Sequence, residues 1–124
     1  IEELGKEFEI FDRLGDPLKS LSHGMKQKVA VISALIHNPK LLILDEPFVG
    51  LDPQSTFILK QKMHALCQQG GSVFFSSHVL EVVENLCDHL VIIKSGKVIK
   101  DDATDAILAG GKNLEEIFLH LEEE

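Results

Sequence analysis

The 124-residue chain fits one ordinary domain, able to bury roughly two thirds of the surface its unfolded form exposes. With 44% hydrophobic and 26% charged residues and no Tyr or Trp, it reads as a soluble globular protein whose core rests on aliphatics and 7 Phe. A formal charge of −8 argues against a nucleic-acid partner, which needs clustered Lys and Arg, and no apolar run reaches the ~18 residues that span a bilayer.

In chain order, residues 1–14 predict a helix with Leu4, Phe8 and Phe11 on one face, closed by Gly15 and Pro17. A second helix opens near Ser22 and carries Met25, Val29, Ile32 and Ile36 at helical spacing. It stops at Asn38-Pro39, since proline disfavours helix in the residue before it. Leu41–Leu44 is a continuous apolar run leading into Asp45-Glu46-Pro47, the pattern of a parallel strand buried on both faces. Asp52-Pro53 is an N-cap with proline at the first helical position, and Leu59, Met63 and Leu66 line the helix it starts, which ends at Gly70-Gly71. Ser72–Ser76 predicts a second buried strand, Val79 to Leu86 an amphipathic helix, and Leu90–Ile93 a third strand. Ser95-Gly96 turns a hairpin into Lys97–Lys100, and short helices near 105–108 and 114–121 finish the chain. Strands alternating with helices give an α/β fold. The acidic runs Asp101-Asp102 and Glu122–Glu124 read as solvated surface. Cys67 and Cys87 are too few and too far apart for a disulfide framework or a Cys-x-x-Cys site, and read as structural thiols of a reducing compartment. The chain shows no signal peptide, and starting at Ile1 without methionine it is expected to be a piece of a longer protein.

The chemistry concentrates at strand ends. A buried strand delivers Asp45 and Glu46 rigidly to the carboxyl edge of a parallel sheet, where α/β folds bind ligands. The first carboxylate can hold Mg²⁺ and the second can polarise a water for attack on a phosphoryl group; alone, an Asp-Glu pair there is more often a turn or a cap. Leu21-Ser22-His23-Gly24-Met25 opens a helix, and the Ser hydroxyl with free backbone N–H groups suits an anion there, though an ordinary N-cap has the same residues. His78 follows the strand 72–76 and is expected at the same edge as Glu46, placing a phosphate or water contact within its reach. The other histidines, His37, His64, His89 and His120, form no metal-binding spacing.

Taken in order, these segments resemble the ATP-binding-cassette family. Leu21–Met25 is similar to its signature loop (usually Leu-Ser-Gly-Gly-Gln) and Leu41–Asp45 to its Walker B strand. Glu46 stands in the position of the catalytic glutamate, Gly50-Leu51-Asp52 in the loop that touches the partner subunit, and His78 in the position of the switch histidine. Lys94-Ser95-Gly96-Lys97 resembles the hairpin that commonly follows. The resemblance implies part of a P-loop NTPase cassette domain, its C-terminal half: residues 1–38 a helical signature region, 39–100 the core with its hairpin, 101–124 C-terminal helices. It implies ATP and Mg²⁺ as ligands, with Asp45 on the metal, Glu46 and His78 catalytic, and Ser22, His23 and Gly24 on the nucleotide of a second ATPase subunit. Asp52 would line that interface. Transmembrane subunits would be the further partners, and the location cytoplasmic, peripheral at the inner face of the membrane.

Two departures qualify it. His23 and Met25 replace the usual second Gly and the Gln, a variation familiar from bacterial export-type cassettes; His23 is either a cation beside the partner's γ-phosphate or a surface histidine. No Gly-x-x-x-x-Gly-Lys-Ser/Thr loop occurs, and Gly110-Gly111-Lys112-Asn113 lacks its spacing, its hydroxyl and a preceding strand. In the family that loop lies N-terminal to the segments found here, so the chain alone is expected to be inactive. Two other readings stay open: a cassette ATPase of translation or DNA repair, and a non-catalytic half-cassette module.

Overall fold

Apolar runs and amphipathic stretches alternate in the structure as helices and strands over residues 1–123, which a computed structural model describes. Glu124, the last residue of the acidic terminal run, lies outside the described residues. The chain divides into two units, Ile1–Ser76 and Ser77–Glu124.

The first unit holds α1 (Glu2–Glu7), α2 (His23–Leu35), β1 (Leu41–Asp45), α3 (Pro53–Gln68) and β2 (Ser72–Ser76). The helix expected over residues 1–14 stops early. Phe8 and Ile10 are both buried, yet residues two apart on a helix point about 200° from one another. The chain resolves the conflict by leaving the helix. Glu9 takes a left-handed φ of +57°, the Ile10 N–H donates to the Gly5 carbonyl at 2.8 Å, and a 3-10 turn, Phe11–Arg13, follows. The half-buried pair Lys62–Glu7, at 2.8 Å, ties α1 to α3.

β1 and β2 pair in parallel, with Leu41 opposite Ser72, Ile43 opposite Phe74 and Asp45 opposite Ser76. The expectation of strands buried on both faces is corrected here. Leu42 is buried, but Ile43 and Phe74, side by side on the other face, are each 65% exposed. The alternation of a strand puts neighbouring residues on opposite faces, and among the described residues of this unit only one face of the pair is covered.

The second unit holds α4 (Leu80–Leu86), the antiparallel pair β3 (His89–Lys94) and β4 (Lys97–Ala103), α5 (Thr104–Ile107) and α6 (Leu114–Glu123). Ser95 (φ +51°) and Gly96 (φ +76°) give the two left-handed residues of a tight hairpin turn. β4 runs further than the predicted Lys97–Lys100, and Ile99 is the extra residue where the register shifts between Ile92 and Ile93. Leu90, Ile92, Ile107 and Leu114 form the core, with Val83, Ile117 and Phe118 packed against it. The Lys94 ammonium closes the end of α6 by donating to the carbonyls of Leu121 (3.0 Å) and Glu122 (2.8 Å). Asp101 and Asp102 are exposed as expected, Asp101 pairing with His89 at 2.6 Å. Both cysteines are free; Cys67 is exposed, and burial pushes the thiol pKa of the half-buried Cys87 up.

Candidate functional site

β1 carries its apolar residues into the sheet and releases the chain at Asp45-Glu46. Asp45 is exposed, and one of its carboxylate oxygens accepts a hydrogen bond from the Ser76 hydroxyl across the strand pair. Glu46 is half-buried and turns sharply, with φ at +47°, a left-handed conformation that costs a non-glycine residue roughly 1 kcal/mol or more. Its N–H donates to the Ser76 carbonyl at 3.0 Å and approaches the Ser76 hydroxyl at 3.2 Å. From the other side, the Gln27 amide of α2 donates to the Pro47 carbonyl at 2.9 Å and lies 3.5 Å from the Glu46 carbonyl. The carboxylate pair therefore leaves the strand on a turn gripped from both sides.

The start of α2 lies against the far end of the same loop. Ser22 is the N-cap, its hydroxyl accepting the Met25 N–H at 3.2 Å. Gly24 approaches the loop so closely that a Cβ there would stand 2.7 Å from the Gly50 carbonyl oxygen. Gly50, at φ +81°, in turn faces the His23 ring, which a Cβ on Gly50 would meet at 3.0 Å. Only glycine fits both demands at position 50.

Asp52 ends the loop and caps α3, accepting the Ser55 N–H at 2.7 Å. It also pairs with Lys28 of α2 at 2.8 Å; the lysine side chain is 11% exposed and the aspartate 43%. The hydrogen bond from Lys28, and then that from the Ser55 N–H, hold the Asp52 carboxyl at a pKa of about 2, down from its ordinary 3.8.

In the first unit, one loop thus links Asp45 and Glu46 at its start to Asp52 at its end, where Gly50 meets His23 and Gly24 beside the Ser22 cap. His78 belongs to the second unit, exposed in the stretch leading to α4, where the Ser77 hydroxyl accepts the Val79 N–H at 3.0 Å. Three residues that the sequence reading passed over hold the arrangement: Ser76, Gln27 and Lys28. The parallel register that sets Ser76 opposite Asp45 is the signal that finds the first.

With this geometry in view, the comparisons decide the family. The family model described as ABC transporter matches residues 1–49, a span that includes the start of α2 and the Asp45-Glu46 turn. An uncharacterized ABC transporter ATP-binding protein of Bacillus subtilis, YhaQ, is 45% identical over 102 residues, 80% of this chain and 34% of its own length. The chain belongs to the ATP-binding-cassette family. NatA, an ABC transporter ATP-binding protein of the same species, is 39% identical over 86% of the chain and 44% of its own length. The lantibiotic transport ATP-binding protein SrtF of Streptococcus pyogenes is 42% identical over 82% of the chain and 43% of its own length. A solved ATP-binding subunit of an ABC transporter superposes with a TM-score of 0.88 at 34% identity, covering 97% of this chain and 52% of that one. A second solved ATP-binding cassette, at 24% identity and a TM-score of 0.64, shares the fold. The fold is accordingly the α/β fold of the ATP-binding cassettes, and the chain spans less than half the length of these curated relatives.

The donors present fit Mg²⁺. Asp45 offers an exposed carboxylate, a hard oxygen donor, at a strand end, with one of its oxygens accepting from the Ser76 hydroxyl. An ion held by one carboxylate, water and substrate phosphates is the arrangement Mg²⁺ favours over an all-protein cage.

Proposed function

We propose that this chain is the part of a transporter's ATP-hydrolysing subunit that carries the water-activating carboxylate and the contact to a second subunit. Asp45 holds Mg²⁺, which when bound neutralises charge on the phosphates. The half-buried Glu46 accepts the proton of the attacking water, its backbone fixed by Ser76 and Gln27 so that little reorganisation accompanies the transfer. His78 contacts the γ-phosphate. The α2 N-terminus offers Ser22, His23 and Gly24 to the nucleotide of the facing subunit, as helix N-termini do for anions, and Asp52 lines the same interface. Closure of two such subunits on ATP moves membrane-embedded partner subunits, which places the protein at the inner face of the cell membrane. The lantibiotic-transport relative supports an export role.

The observation that carries this reading is the Asp45-Glu46 pair leaving a parallel strand on a left-handed turn held from both flanks. The chain holds no phosphate-cradling glycine loop, so alone it is expected neither to bind ATP tightly nor to hydrolyse it. In the complete protein as its gene encodes it, Glu46→Gln should leave nucleotide binding near wild type and slow turnover on the order of 10²- to 10⁴-fold. His78→Ala should slow it as well. Steady-state hydrolysis by Glu46→Gln within about a factor of two of wild type would remove Glu46 from the role.

A further inference from the structure

We infer that Gln27 is a positioning residue for hydrolysis, acting through Glu46. The inference rests on Glu46 being the group that activates water. Glu46 stands in a backbone conformation that an L-residue keeps only when its surroundings impose it. Its N–H side is held by β2, where Ser76 supplies both a carbonyl and a hydroxyl. Nothing in the strand ladder holds the carbonyl side, because the ladder ends at Asp45–Ser76. On that side the Glu46 carbonyl accepts the Val49 N–H at 3.3 Å within the turn, and from α2 the half-buried amide of Gln27 donates to the Pro47 oxygen at 2.9 Å and lies 3.5 Å from that of Glu46.

Gln27 lies on the same helix whose first turn packs Gly24 on Gly50 and whose next residue, Lys28, pairs with Asp52. Those contacts hold the loop at its far end, at residues 50 and 52; Gln27 holds it at residues 46 and 47. Removing the amide leaves the outer contacts and the turn's own backbone hydrogen bonds in place, and takes away the α2 contact that braces the turn beside the carboxylate. A general base displaced by a fraction of an ångström loses catalysis while leaving nucleotide affinity alone, since both of these contacts of the Gln27 amide are to backbone carbonyls of its own chain.

The test uses the complete protein and two substitutions that keep the side chain's length. Gln27→Met removes the donor, and Gln27→Glu sets a carboxylate against the carbonyls. Each is expected to lower kcat roughly tenfold with KM for ATP unchanged, the loss of one well-placed hydrogen bond expressed at the reacting geometry. The deciding measurement repeats Gln27→Met in a Glu46→Gln background by single-turnover hydrolysis, with thermal melting of every variant alongside. If Gln27 acts through Glu46, the second substitution changes the residual rate by less than about twofold. An equal tenfold loss in both backgrounds, or a loss that tracks melting temperature, makes Gln27 an ordinary packing residue and overturns the proposal. Unchanged kcat in both single variants overturns it as well. A Glu46→Gln protein that turns over normally sinks the parent reading instead, an outcome visible before any Gln27 variant is made.

Discussion

The pairing of Asp52 with Lys28 gives the sharpest stability prediction. Asp52 has two jobs in the structure, capping α3 and neutralising a lysine that is almost fully enclosed. Asp52→Asn separates them, because Asn caps a helix about as well as Asp but carries no charge. A carboxyl lowered from 3.8 to about 2 corresponds to roughly 2.5 kcal/mol at full strength. Since the Asp52 side chain is 43% exposed, solvent screening reduces this to about 1 kcal/mol. Leaving the enclosed Lys28 without its partner adds to the cost, so Asp52→Asn should destabilise by about 1–2 kcal/mol. Asp52→Ala should lose about 1 kcal/mol more for the missing cap.

The sign of the pH dependence follows from the direction of the shift. A carboxyl whose folded pKa is depressed contributes its stability above the unfolded value, near 3.8, and loses it as pH falls through about 2. The gap between wild type and Asp52→Asn should therefore be full at neutral pH, shrink below about pH 4 and close near about pH 2. The chain has no Trp or Tyr, so far-UV circular dichroism during urea unfolding is the suitable readout. Lys28→Met with Asp52→Asn should cost less than the sum of the single changes. An Asp52→Asn protein as stable as wild type at neutral pH, with parallel pH curves, would refute the ion pair as a stabilising contact.

Two further outcomes follow from the packing. The apolar face formed by Leu41, Ile43 and Phe74 should make the isolated chain self-associate; sedimentation analysis should show Phe74→Lys shifting it toward monomer, and a monodisperse wild-type monomer would contradict this. Gly24→Ala should destabilise by about 1–3 kcal/mol, because the added methyl meets a backbone oxygen that no side-chain rotation can move away; urea unfolding indistinguishable from wild type would mean that the loop yields freely.

Much of the first unit was legible because its punctuation is chemical. Ser22 before a periodic run, Asp52-Pro53 and the apolar run ending in Asp45-Glu46 each specify a local structure with few competitors, and all of them form. The break after α1 was not legible, because the spacing of Leu4, Phe8 and Phe11 hides the demand that Ile10 be buried too. The open face of β1 and β2 was hidden for a related reason: an apolar run reports that a strand can be buried, and cannot report what is present to cover it. Gln27 and Lys28 carry no pattern of their own. They are polar residues on a helix, and only the fold sets them against carbonyls and a carboxylate far along the chain.

These contacts also change what a substitution near the α2 N-terminus can demonstrate. If this end of the helix meets the nucleotide of a facing subunit, the natural test is to damage it and look for an effect in trans. Gly24 is a poor choice, since any side chain there strikes the Gly50 carbonyl of its own subunit and disturbs the loop leading back to Glu46. Ser22→Ala has a similar flaw on a smaller scale, because Ser22 caps α2 and its loss costs about 1 kcal/mol within the same chain. His23 is the cleaner probe: it is exposed, and although its ring faces Gly50, truncating it to Ala adds no atom against the loop and leaves the Ser22 cap in place. A change there that lowers dimer formation on ATP, while ATP binding and the urea midpoint stay fixed, would point across the interface. The same change made at Gly24 could not separate the two subunits' contributions, because it would alter both.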